Sequence, residues 1–125
     1  MMNRPRLNIV RGDIWLVNFE PTIGDEIQKT RPAVVLSINA AFRYRLQIVA
    51  PITSWQEKFA SDFWMIKVSP SATNHLDNES TVNAFQIKSL SEERFVRKIG
   101  NLLSGQVDDI SAAVALCIGY NDKQT

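Results

Sequence analysis

The chain has one cysteine and one histidine in 125 residues, and these two scarcities exclude whole classes of chemistry. A lone Cys117 cannot close an internal disulfide, and one thiol with one imidazole falls short of an ordinary zinc site. A single His75 also excludes, within one chain, a mechanism in which one histidine takes a proton and a second gives one. Excess charge is scarce too: fourteen Lys and Arg against thirteen Asp and Glu leave a net charge of +1. Bulk attraction to a polyanion is therefore excluded, and any grip on one must be a local patch. No apolar run is long enough to span a membrane, no signal peptide is evident, and repeats, linkers and low-complexity tracts are missing. The expectation is a cytoplasmic protein without a cofactor, one domain over residues 1–125, making no membrane contact.

What the chain does have is β-rich patterning, with 45% hydrophobic and 9% aromatic residues, enough for one core. Strands are expected at Ile14 to Phe19, Ala33 to Ile38, Leu46 to Thr53, Phe63 to Val68, Thr81 to Ile87 and Phe95 to Leu103. Short helical turns are expected after Ser54 and near Ser91, where Ser91 can cap and Glu92 and Glu93 suit a first turn. A helix is expected from near Ser104, with Val107, Ile110, Val114, Cys117 and Ile118 on its core face; Leu116, flanked by Ala112 and Ala115, lies on the other. Cys117 then reads as a small buried hydrophobe. The fold class is mainly β: a small SH3-like antiparallel barrel with short peripheral helices and a C-terminal helix.

Two segments carry possible chemistry. In KTRPAVVLS (Lys29 to Ser37), the proline disfavours a helical Arg31 and belongs at the start of the strand that follows, so Arg31 should project from a strand mouth. In Leu46 to Thr53, the alternation of Leu46, Ile48, Ala50 and Ile52 with Gln47, Val49, Pro51 and Thr53 reads as a strand with one buried face, placing Thr53 at its far end on the other side. An arginine fork remains charged and can donate two parallel hydrogen bonds to phosphate oxygens, and a threonine hydroxyl adds a neutral donor. If they converge, the pair could stabilise charge developing at a phosphodiester attacked by a neighbouring ribose 2′-hydroxyl. The same residues also fit a plain surface arginine and an ordinary strand threonine.

The run from Val10 through Ile87, with RGDIWLVNFEP (Arg11 to Pro21), an acidic glycine-containing loop, KTRPAVVLS and APITS (Ala50 to Ser54), followed by QIKSL (Gln86 to Leu90) and RKIGNL (Arg97 to Leu102), resembles the MazF/PemK toxins of bacterial toxin–antitoxin pairs. The match runs in order over nearly the whole chain. The resemblance implies a metal-independent endoribonuclease, or mRNA interferase, that cuts single-stranded RNA at a short sequence, forms a two-fold homodimer and is held inactive by a cognate antitoxin. It implies Arg31 and Thr53 as the catalytic pair, with Lys29, Thr30, Ser54, Asp25, Glu26, Phe85 and Gln86 as substrate-binding positions. Thr22 to Thr30 corresponds to a loop covering the RNA site, to which Gly24 would lend flexibility.

The chain departs from that pattern at Phe85, where many members carry an acidic residue before the glutamine. A candidate general base is thereby lost. Asp25 or Glu26 could replace it, the arginine could suffice, or Phe85 could stack on an unpaired base; an aromatic in a strand is otherwise core. Arg4, Arg6, Arg11, Lys29, and Arg43 and Arg45 around Tyr44 are further candidates for an RNA patch, and each also reads as a solvated charge. The stretch from Arg43 to Arg45 equally suits a polar hairpin turn. His75, in the polar run Ser71 to Ser80, reads as a loop residue. Asp77 with Glu79, and Asp108 with Asp109, could touch magnesium but read as solvated faces or a helix start. Two other readings keep the barrel: a gyrase-poison-like toxin acting on a protein, or a protein-binding module without nuclease activity, which Phe85 keeps open.

Overall fold

The computed structural model describes residues 7–20, 24 and 29–120. Seven strands run β1 Asp13–Asn18, β2 Thr30–Val35, β3 Leu46–Ser54, β4 Met65–Val68, β5 Ser80–Asn83, β6 Lys88–Ser91 and β7 Phe95–Asn101, and helix α1 spans Ser104–Cys117. All pairings are antiparallel, in the order β4-β5-β3-β2-β1-β7, with β6 also on β3. Strand β3 is the spine: β6 pairs its first half and β5 its last three residues along one edge, while β2 pairs Val49 to Pro51 on the other. The mainly β, SH3-like class expected from the sequence is the one found. No helix among the described residues is long and apolar enough to cross a membrane.

Two cores, rather than one, explain the strands' composition. Ile14, Val34, Ala50, Ile52, Val82 and the α1 residues Val107, Ile110 and Ala113 form one cluster. Trp15, Val17, Phe19, Ala33, Val35, Val49 and Phe95 form the other, with Trp15 and Phe95 edge to face at 5.8 Å. Neighbouring residues of a strand point to opposite faces, so β1, β2 and the middle of β3 need apolar residues at every position. That is why the single-face reading of β3 fails: Gln47 and Val49 are buried, whereas Leu46 and Ile48 are 43% and 41% exposed. Gln47 tolerates burial because its amide donates to Glu92 at 3.0 Å and its carbonyl oxygen accepts from Ser37 Oγ.

The RGDIW segment turns out to be structural. Gly12 adopts φ +95°, a conformation costly to any residue with a Cβ. Buried Asp13 accepts from Val10 N and the Trp15 indole and pairs with Lys98 at 3.3 Å. Arg11, a candidate RNA contact, is instead tied to the Leu36 carbonyl and, through Ser111 at 3.0 Å and Asp108 at 3.7 Å, to α1.

Several expected boundaries move. Strand β2 starts at Thr30, so Pro32 is its third residue rather than its first, and the run expected as one strand from Thr81 to Ile87 ends at Asn83 in a 3₁₀ turn, Ala84–Gln86, that leads into β6. Asn83 initiates that turn by accepting from Phe85 N at 3.0 Å. Arg43 and Tyr44, for which a polar hairpin turn is one of two readings of the sequence, end a 3₁₀ helix, Asn39–Tyr44. The turns Glu57–Ser61 and Glu92–Arg94 fall where expected, the latter capped by Ser91 Oγ. In α1, Val107 and Ile110 are buried and Val114 partly so, but Cys117 is half-buried and Ile118, past the last turn, is 75% exposed. Desolvation raises the pKa of the Cys117 thiol.

Candidate active site

The β2–β3 ladder pairs Val35 with Val49, Val34 with Ala50 and Ala33 with Pro51, then stops. Two prolines, Pro32 and Pro51, stand at the stop, and neither can donate to a ladder. Past this point β3 continues on β5, pairing Thr53 with Thr81, while β2 remains on β1, pairing Arg31 with Val17. The two strand ends therefore part. Continuing the lost register by two residues would set Arg31 opposite Thr53, and across that gap Arg31 Nη1 donates to Thr53 Oγ1 at 3.3 Å. Both side chains are partly exposed. The pair is therefore held by backbone geometry yet open to a ligand.

The parting opens a cleft of about 580 Å³ lined by Leu16, Arg31, Thr53, Ser54, Asp77 and Arg97, with Pro32, Ile52, His75, Leu76, Asn78, Ser80 and Ile99 completing its walls. Two arginines, one histidine and one carboxylate are its ionisable lining. The long-range pairing of β1 with β7 brings Arg97, opposite Leu16, to the cleft. The loop after β4 brings His75 and Asp77. That loop is built on Asn74, which is 1% exposed. Its side chain accepts from Ser71 N and Leu76 N and donates to Ser69 O, at 2.9, 3.0 and 2.9 Å. The loop rests on Gly100, where an added Cβ would lie 2.5 Å from Thr73 O and 2.8 Å from Asn74 O.

Of the sequence-derived site residues, the structure brings Arg31, Thr53 and Ser54 to one cleft. Lys29 and Thr30 are exposed beside it at the start of β2, Lys29 with φ 41°, and do not line it. Phe85 and Gln86 line a separate hollow with Trp64, Met65, Asn83, Ile87 and Lys88. Phe85 is not core: it is 61% exposed and meets Trp64 edge-on at 5.6 Å. Tyr44, under Arg43 at 5.4 Å, lies beyond the opposite end of β3 from Thr53. Asp25, Glu26, Arg4 and Arg6 fall outside the described residues, as does most of the loop around Gly24.

Sequence reasoning missed Arg97 and His75 as cleft residues. Arg97 had a weak signal, its place in RKIGNL; His75 had none, because a polar run does not reveal what a loop leans on. Among the described residues no three His, Cys, Asp or Glu side chains gather as a metal site would require. The cleft's side-chain donors include the Arg31 and Arg97 guanidiniums, the Thr53 and Ser54 hydroxyls and the His75 imidazole, a set suited to an anionic oxygen.

Known proteins resemble the chain in sequence and in fold. Residues 10–118 match the family described as PemK-like, MazF-like toxin of type II toxin–antitoxin system. The endoribonuclease MazF9 of Mycobacterium tuberculosis is 30% identical over 112 residues, covering 85% of this chain and 92% of that protein. The endoribonuclease PemK of Escherichia coli is 44% identical over a shorter 52-residue stretch, 41% of this chain and 39% of that protein. The crystal structure of MazF from Deinococcus radiodurans superposes with a TM-score of 0.72 at 23% identity, covering 90% of this chain and 97% of that one.

Proposed function

The chain belongs to the PemK-like, MazF-like toxins of type II toxin–antitoxin systems, and from that premise we propose that it cuts single-stranded RNA, without a metal ion, in the cleft between the ends of β2 and β3. It is an endoribonuclease toxin whose partners are RNA and a cognate antitoxin. The whole of residues 1–125 acts as one toxin domain, in the cytoplasm, as a two-fold homodimer. Leu116, 56% exposed on the outer side of α1, suits such pairing.

The observation that carries the site assignment is the 3.3 Å contact of Arg31 with Thr53 at the mouth of the cleft. A scissile phosphate entering there would take its place between the two groups. Arg31 anchors and neutralises it, and Thr53 hydrogen-bonds a non-bridging oxygen. The adjacent ribose 2′-hydroxyl attacks phosphorus, leaving a 2′,3′-cyclic phosphate and a 5′-hydroxyl. Lys29, Thr30 and Ser54 hold the flanking backbone, Phe85 and Gln86 meet bases farther along, and Asp25 and Glu26 are further substrate-binding positions. An aromatic at position 85 does not obstruct the Arg31–Thr53 pair, because Phe85 stands outside the cleft. The match to a family of endoribonuclease toxins is what favours cutting over a non-cutting binder.

The test is incubation with long single-stranded RNA in EDTA beside Arg31→Ala, with end chemistry mapped. Discrete cuts with cyclic-phosphate ends, absent in the variant, are expected; RNA left intact by the wild-type protein would overturn the reading.

A further inference from the structure

We infer that His75 is a catalytic residue of this chain, the general acid that protonates the departing 5′-oxygen; the inference rests on the cleft being where RNA is cut. Its imidazole lines the same cleft as Arg31 and Thr53. Its Nδ1 lies 2.7 Å from the Ile99 carbonyl oxygen. A carbonyl can only accept, so Nδ1 carries a proton in either charge state of the ring, and Nε2 is left as the position that gains and loses one.

The placement of this residue is over-determined. His75 holds φ 54°, a left-handed conformation that a residue with a side chain rarely adopts. Such strain persists where its surroundings enforce it, and it gathers at functional sites. Here the enforcement is visible. Asn74 ties the loop from inside, His75 N donates to Ser71 O at 3.2 Å, and Asn101 N donates to Thr73 O at 3.0 Å. Gly100 leaves no room for the loop to settle lower.

The lining chemistry gives the role. Arginines keep their protons at any working pH and carboxyl groups have ordinarily lost theirs by neutrality. Among the side-chain types around the cleft, imidazole alone both carries and releases a proton near neutral pH. In the step, the 2′-hydroxyl gives its proton to water and its oxygen forms the bond to phosphorus. The phosphorus–O5′ bond breaks, O5′ leaves with the electron pair, and it takes the proton from His75 Nε2. The imidazole regains a proton from water as product leaves.

The variants are His75→Gly and His75→Asn, both at home in a left-handed conformation, so the loop keeps its form without the imidazole. Each is assayed in single turnover, with enzyme in excess, on two short RNAs spanning a mapped cut site. One is ordinary; the other carries sulfur in place of the bridging 5′-oxygen, which leaves readily without a proton. Expected is a loss of about 100-fold or more on the ordinary RNA, with equal rates for wild type and variants on the sulfur RNA. Equal rates on the ordinary RNA, or the same loss on both RNAs, would overturn the acid role while cleavage by the wild type leaves the site reading standing. Wild-type protein that cuts neither RNA brings down both.

Discussion

Arg31 and Thr53 meet at 3.3 Å across the point where two prolines end the β2–β3 ladder. A contact of this kind joins two side chains but carries none of the sheet's pairing. Replacing Arg31 by alanine is therefore expected to change stability by no more than about 0.5 kcal/mol. Cleavage should fall by about 100-fold or more, the usual effect of losing a donor aimed at developing charge. Arg31→Lys should recover little, since a point charge cannot reproduce the planar fork. Denaturant midpoints and single-turnover cleavage, measured side by side, separate the two effects.

Thr53 sits between Ile52, in the core beside Val82, and exposed Ser54. Thr53→Val keeps shape and β-branching and removes only the hydroxyl. The expected result is a cleavage loss of about tenfold to 100-fold, with Thr53→Ser close to wild type. If Thr53→Val cut RNA as fast as the parent, the hydroxyl would have no part in the chemistry.

How much of this was legible depended on how far along the chain the decisive partner lies. Arg31 and Thr53 could be read because Pro32 holds the residue before it extended and because both stand in motifs of the family resemblance, KTRPAVVLS and APITS. Ser91 as a cap and Ser104 as a helix start were local too. The face of β3 was not legible: Leu46 and Ile48 are as apolar as Ala50 and Ile52, and only the presence of a second core, built by Trp15, Val17 and Phe95, decides which of them is covered. Phe85 left its strand because the Asn83 side chain offered the backbone a turn. His75 and Arg97 reach the cleft through the loop seated on Gly100 and through β1–β7 pairing, neither of which has a periodicity to read.

Gly100 is the seat of the His75 loop. Gly100→Ala would drive a methyl against two backbone carbonyls at 2.5 and 2.8 Å, atoms that cannot rotate away. A loss of about 1–3 kcal/mol is expected from overpacking. Amide exchange at Asn101, whose N–H donates to Thr73 O, should accelerate beyond the change in global stability. Unchanged protection at Asn101 would mean that the loop does not rest on the strand.

Phe85 separates binding from chemistry. It is exposed, braced by Trp64, and shares no lining residue with the cleft. A base stacked there would contribute equally before and during the cleavage step. Phe85→Ala is then expected to raise KM, by the equivalent of about 1–3 kcal/mol for one lost stack, with kcat unchanged. A fall in kcat at constant KM would instead connect position 85 to the reacting phosphate.

Salt dependence tests whether the grip on RNA is local. With a net charge of +1, two arginines lining the cleft and Lys29 exposed beside it, about three phosphates should be neutralised. For single strands the slope of log K against log salt is about −0.7 per phosphate contact, so affinity should fall about 20-fold between 50 and 200 mM salt. Removing Arg97, exposed on β7, should flatten the slope by about 0.7 and weaken binding alike for RNA and for DNA of the same sequence. DNA has no 2′-hydroxyl, so the protein should bind it with a similar slope and leave it uncut. A slope several times steeper would require basic residues beyond the cleft, and the cluster at Arg43 and Arg45, at the far end of β3, would be the first place to look for them.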